Sequence, residues 1–130
     1  MIDDQALRMI DANLNRLREG IRVVEEICRF VFNNASMAKE LKNLRHLVRS
    51  SAALEALKTR DSQNDVLRPT ITVENDRSDL QSVLIANFKR SQESARVLEE
   101  LLKLFNTDEA EQFKQIRYTL YTLEKQLLTK

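Results

Sequence analysis

Glycine, proline, cysteine and histidine each occur once in this chain, and tryptophan is absent. A single glycine leaves no glycine-rich phosphate loop and no dinucleotide fingerprint, both of which need several. A single histidine excludes the paired Glu-x-x-His ligands of a di-iron bundle and argues against a zinc centre. Nor is any nucleophile–histidine–acid set suggested. The lone Cys28 cannot form an intramolecular disulfide and fits a reducing compartment. No stretch is apolar for long enough to be a signal peptide or a membrane span, so the expectation is a cytoplasmic protein. With 21 basic and 20 acidic residues the formal net charge is +1, and aromatic residues make up only 5%. Nucleic acid and membrane surfaces are therefore not expected partners, although a local basic pocket remains open.

What is present is helical in character. Hydrophobic residues make up 42% and charged residues 32% of 130 residues, enough for one domain with its own core. The dominant signal is an internal repeat. Asn13-x-x-Arg16-x-x-Glu19-x-x-Arg22-Val23-x-Glu25-Glu26 returns 74 residues later as Asn87-x-x-Arg90-x-x-Glu93-x-x-Arg96-Val97-x-Glu99-Glu100, without a gap. The polar positions are identical, whereas Leu14, Ile21 and Val24 correspond to Phe88, Ala95 and Leu98. A helix duplicated only for packing would hold its apolar pattern and let polar residues wander. The repeated polar residues therefore have a role beyond solubility.

Patterning predicts an all-α fold, a four-helix bundle made of two repeated helical hairpins with a long crossover loop and approximate twofold symmetry. Helix A is expected from about Asp4 to Phe32, and helix B from about Met37 to Lys58 after Asn33, Asn34 and Ser36 break and recap the chain. Residues 59–77 hold Pro69 and the β-branched run Thr70-Ile71-Thr72-Val73, and read as a long connection, partly extended. Ser78-x-x-Gln81 reads as a capping box opening helix A′, which runs to about Phe105. Asn106-Thr107-Asp108-Glu109 caps helix B′. A weaker echo of the repeat relates Lys42-Asn43-Leu44-Arg45-His46 to Lys114-Gln115-Ile116-Arg117-Tyr118.

On a helical wheel at roughly 100° per residue, Leu14, Leu17, Ile21, Val24, Ile27, Cys28 and Val31 form one apolar arc, widened by Val23 and Phe30. Asn13 and Arg16 fall inside it. In helix A′, Asn87 and Arg90 likewise fall among Leu84, Phe88, Leu98, Leu101, Leu104 and Phe105. Glu19 and Glu93 lie at the boundary, while Arg22 and Arg96 point away and read as solvated i,i+4 ladders to Glu26 and Glu100. A buried guanidinium is costly unless paired, which leaves two readings. Either Asn13, Arg16, Glu19 and their repeats form a structural polar network, or the two halves converge them on an anion-binding cleft. Gly20 and its repeat partner Ser94 are small, as close helix crossing requires, and Cys28 reads as a core residue. The wide apolar arc also leaves room for a homodimer interface. The segment Arg60-Asp61-Ser62-Gln63-Asn64-Asp65 could hold Mg²⁺ and phosphate, or be an ordinary turn. The lone His46 is more often structural than catalytic.

Residues 11–26, Leu44-Arg45-His46, Arg60-Asp61 with Asp65-Val66, and residues 86–100 together resemble one small bacterial family. It is the monofunctional hydroxymethylpyrimidine phosphate kinase of thiamine biosynthesis, often fused to thiamine phosphate synthase. That synthase activity belongs to a (β/α)₈ barrel, which does not fit in this chain. The resemblance implies ATP-dependent phosphorylation of 4-amino-5-hydroxymethyl-2-methylpyrimidine phosphate to its diphosphate, with ATP and Mg²⁺ as cofactors. Leu67 departs from the pattern at a position expected to be glycine. For such a reaction, Arg16 and Arg90 are the expected phosphate clamps and Asn13 and Asn87 the groups that orient substrate. Glu19, Glu93, Arg45, His46, Arg60 and Lys89 are the further substrate contacts, and Asp61 and Asp65 the metal ligands. The alternatives from the residues alone are a non-catalytic helical module that binds a partner, or a small-molecule sensor.

Overall fold

The computed structural model describes residues 3–70 and 77–129. Ile71, Thr72 and Val73 of the β-branched run lie outside the described residues. Among the described residues there are five α-helices, α1 (Asp4–Phe30), α2 (Ala35–His46), α3 (Ala53–Leu57), α4 (Leu80–Leu102) and α5 (Thr107–Leu128), with a 3₁₀ turn at Ser62–Asn64. No strand occurs among the described residues.

Each long helix begins where a side-chain oxygen replaces a missing carbonyl partner. Asp3 accepts from the Ala6 amide at 2.8 Å, Asn34 from Met37 at 3.0 Å, and Asn106 from both Asp108 and Glu109. The turn between α1 and α2 passes through Asn33 at φ 49°, a left-handed conformation that asparagine tolerates well. Helix α4 starts one residue later than the expected Ser78-x-x-Gln81 box. Asp79 is its N-cap and accepts from the Ser82 amide at 2.8 Å, because a carboxylate caps and also meets the positive helix end.

Helix B is broken, contrary to the single helix expected to Lys58. Ser50 Oγ accepts from the Ala52 amide at 3.0 Å, and the Glu109 carboxylate on α5 accepts from the amide and hydroxyl of Ser51. These side-chain bonds compete with the helical ladder and turn the chain into α3, which packs on α1.

Helices α1 and α4 make the most extensive contact, with α2 packed on α1 and α5 on α4. Gly20 abuts Ser91, while Val97 shares a cavity with Met9 and Asn13, so α1 and α4 run in opposite directions. Short turns make α1–α2 and α4–α5 antiparallel too. The direction order is therefore up, down, down, up, which is why a long crossover must join the halves. The core holds Ile10, Leu17, Ile21, Val24 and Cys28 of α1 against Leu84, Phe88, Ala95 and Leu98 of α4. Phe30, Val31, Leu104 and Phe105, expected on the apolar arcs, are exposed instead. They stand at or beyond the last turns of α1 and α4, past the packed stretch.

Candidate functional site

The repeated polar residues divide into three groups by what they meet. Arg22–Glu26 and Arg96–Glu100 are outward i,i+4 pairs at 3.2 and 3.1 Å. Glu25 pairs with Arg45 of α2 at 2.9 Å, and Glu99 with Arg117 of α5 at 2.8 Å, so the same ion pair ties each hairpin together. The Arg117 guanidinium is held above its ordinary pKa by its bond to Tyr121 and by Glu99. The third group, Asn13, Arg16 and Glu19 with Asn87, Arg90 and Glu93, lines one cleft between α1 and α4 of about 470 Å³. That size is ordinary for a small-molecule site.

Gly20 and Ser94 lie on the cleft lining together with Val23 and Val97. A Cβ on Gly20 would collide with Ser91 Oγ and come within 3.4 Å of the Asn87 carbonyl, so glycine permits the close crossing. Asn13 and Asn87 behave identically: each Nδ2 donates to the carbonyl four residues earlier, Met9 at 2.9 Å and Val83 at 2.8 Å. A carbonyl can only accept, so this bond fixes the amide orientation and leaves each Oδ1 free to accept from a ligand.

Arg16 and Arg90 are exposed on the cleft lining rather than sunk in the apolar arcs. Their long stems leave the helix at the edge of the arc and carry the charge to water. Neither makes an ion pair or hydrogen bond with any described residue, and the same holds for Glu19 and Glu93. The structural-network reading, which required Glu19 and Glu93 to neutralise these arginines, therefore fails. Their charges are therefore available to a ligand in the cleft.

The remaining expected residues lie elsewhere. Arg45 is committed to Glu25, because the partner that neutralises it sits on the neighbouring helix. His46 lines a separate groove between α2 and α5 with Leu47 and Gln112. Lys89 pairs with Glu124 at 3.3 Å, which also accepts from Gln92. Arg60 forms a two-pronged bond to the buried Asp11 at 2.7 and 2.8 Å, and this bond raises its pKa above the ordinary value. Asp61 accepts from Asn64 through both oxygens and Asp65 accepts from the Leu67 amide, so the two expected metal ligands also cap the turn. No group of three or more His, Cys, Asp or Glu able to hold a metal ion occurs among the described residues.

Arg60, Asp61 and Asp65 nevertheless line a second cavity, of about 310 Å³, with Arg8 and Asp11. A third, of about 530 Å³, shares Asn13, Arg16 and Val97 with the main cleft and Arg8 and Asp65 with the second. Sequence reasoning missed Arg8, Asp11, Val23 and Val97. The valines had a signal: they are identical in both halves although most apolar positions drift.

The model of the ThiD2 family matches residues 8–126. This chain belongs to the ThiD2 family. It is 45% identical over 93% of its length to a protein of Nostoc punctiforme named thiamine-phosphate synthase, of which the match covers 35%. It is 43% identical over 93% of its length to one of the same name from Synechocystis, covering 36% of that protein, and 42% identical over 92% to one from Thermosynechococcus vestitus, covering 34%. The chain thus spans about a third of the curated relatives it matches. Their names do not carry the kinase activity that the resemblance implied. No solved structure matches the chain. Among the described residues, no helix is long and apolar enough to cross a membrane.

Proposed function

We propose that this chain works in thiamine biosynthesis as a phosphotransferase, passing the γ-phosphoryl group of ATP to 4-amino-5-hydroxymethyl-2-methylpyrimidine phosphate. The observation that carries this reading is the cleft in which Arg16 and Arg90, one from each repeat, face the same space without a carboxylate partner among the described residues. The family, and the name its relatives bear, support the pathway.

In the reaction an oxygen of the pyrimidine's phosphate attacks the γ-phosphorus, that P–O bond forms, the bond to the β,γ-bridging oxygen breaks, and ADP leaves. A phosphate monoester is already largely ionised near neutrality, so no general base is needed. The barrier lies in bringing two polyanions together and holding them in line. Arg16 and Arg90 neutralise and orient the phosphates, and their planar forks grip oxygens in pairs. Asn13 and Asn87 present fixed Oδ1 acceptors, suited to the exocyclic amino group that adenine and the aminopyrimidine have in common. Glu19 and Glu93, whose carboxylates take no hydrogen bond among the described residues, would hold Mg²⁺, which is ordinarily bound by one or two carboxylates together with phosphate oxygens. The ion would supply further neutralisation of the phosphates. The free alcohol offers no phosphate for these arginines to grip and would bind less well than the monophosphate.

The test is ADP release from ATP, Mg²⁺ and the pyrimidine monophosphate. Arg16→Ala and Arg90→Ala should each lower kcat/KM about 10²–10³-fold with the melting temperature unchanged, since neither side chain holds the fold. No ADP from well-folded wild-type protein would refute the kinase reading, and ligand-dependent melting without ADP would identify a sensor.

A further inference from the structure

The two halves of the cleft are not equivalent. Arg8 lies on α1 about 12 Å before Arg16 at 1.5 Å per residue, and it bonds only to the Asp61 carbonyl, at 3.2 Å. It pairs with no carboxylate among the described residues. Its repeat counterpart on α4 is Ser82, a neutral residue engaged with Asp79. Lys89, beside Arg90, is held by Glu124. The α1 half thus offers two guanidinium groups without an ion pair among the described residues, and the α4 half one. The cavity of about 530 Å³ that continues the cleft past Asn13 and Arg16 is bounded by Met9, Asn64, Asp65 and Val66. Val66 is 90% exposed at that cavity, an apolar surface that a ring laid against it would remove from water.

Resting on the kinase reading above, we infer that the nucleoside triphosphate occupies the α1 half of the cleft and the pyrimidine monophosphate the α4 half. The nucleoside triphosphate is the larger ligand and takes the half that the cavity of about 530 Å³ extends, where Arg16 and Arg8 both line the wall. Its γ-phosphate lies toward Arg16 and the centre of the cleft, its inner phosphates lie toward Arg8, and its base rests on Met9 and Val66. The smaller ligand needs only Arg90 and Asn87.

Initial-rate kinetics with each substrate varied separately test the assignment. Arg8→Ala should raise the KM for ATP about tenfold and leave the KM for the pyrimidine monophosphate within about twofold. Val66→Asp should act in the same direction by setting a carboxylate beside the triphosphate. Both side chains are exposed, so neither change threatens folding. A rise confined to the pyrimidine monophosphate, equal rises for both substrates, or no change in either overturns the assignment and leaves the kinase reading standing. Calorimetric titration of the wild-type protein with ATP and Mg²⁺ separates the two claims: no nucleotide binding overturns both.

Discussion

The crossing of α1 and α4 at Gly20 and Ser91 makes a quantitative prediction. Ser91 is fully buried and its Oγ has no hydrogen-bond partner. Replacing Gly20 by alanine gains about 1 kcal/mol of helix propensity. The new methyl group meets Ser91 Oγ, and relieving such an overlap in a packed interior costs about 1–3 kcal/mol. Gly20→Ala alone should therefore range from near neutral to about 2 kcal/mol destabilising. Ser91→Ala removes both the obstacle and a buried hydroxyl whose desolvation is uncompensated, a gain of about 1 kcal/mol. In that background the methyl faces Ser91 Cβ at 3.5 Å and the Asn87 carbonyl at 3.4 Å, close to ordinary contact. The propensity gain should then appear undiminished. The coupling in the double-mutant cycle should be about 1–3 kcal/mol, which urea denaturation resolves. Each kcal/mol should also move Tm by about 3–5 °C in a domain of this size. Should Gly20→Ala change stability equally with serine or alanine at 91, the close-crossing account is wrong.

Other expected outcomes concern the ion pairs and pH. Glu99→Ala leaves Arg117 buried without its carboxylate and should cost about 3–5 kcal/mol, whereas Arg96→Ala, from an exposed ladder, should cost under about 0.5 kcal/mol; equal losses in denaturation midpoints would contradict this. Burial pushes the Glu109 carboxyl up, but bonds from Ser50 and Ser51 outweigh it, so its folded pKa lies below the ordinary 4.5. A depressed carboxyl stabilises the fold above its unfolded pKa and loses that contribution as pH falls through the folded value. The Tm deficit of Glu109→Gln should accordingly be present at about pH 7 and shrink toward about pH 3. A deficit that stays constant across that range would count against the lock on Ser51.

The bundle and the cleft were legible because the duplication exposes which positions matter. Where an unbroken repeat holds Asn13, Arg16 and Glu19 fixed while their apolar neighbours drift, a shared site is the economical explanation. What failed were features decided by residues distant in sequence. The break after His46 depends on Glu109, which is 58 residues from Ser51, and a helical pattern gives no hint of it. Arg45 and Lys89 look like phosphate contacts until Glu25 and Glu124 are seen to neutralise them. Asp61 and Asp65, the expected metal ligands, also cap their own turn through Asn64 and Leu67. The arginines of the cleft were found in the right place with the wrong burial, since a wheel gives the direction of Cβ and not the reach of a long side chain.

The cleft sits at mid-helix, at least a full turn from either end of α1 and of α4. Every backbone amide there already serves its own helical ladder, and the macrodipole charges are too remote to help. An anion bound at this level of α1 and α4 would have to be held by side chains. Affinity should consequently fall with rising ionic strength, and lysine at 16 or 90 should be a poor substitute for the forked guanidinium. Which ligand the cleft takes would then rest on a few side chains carried by two packed helices.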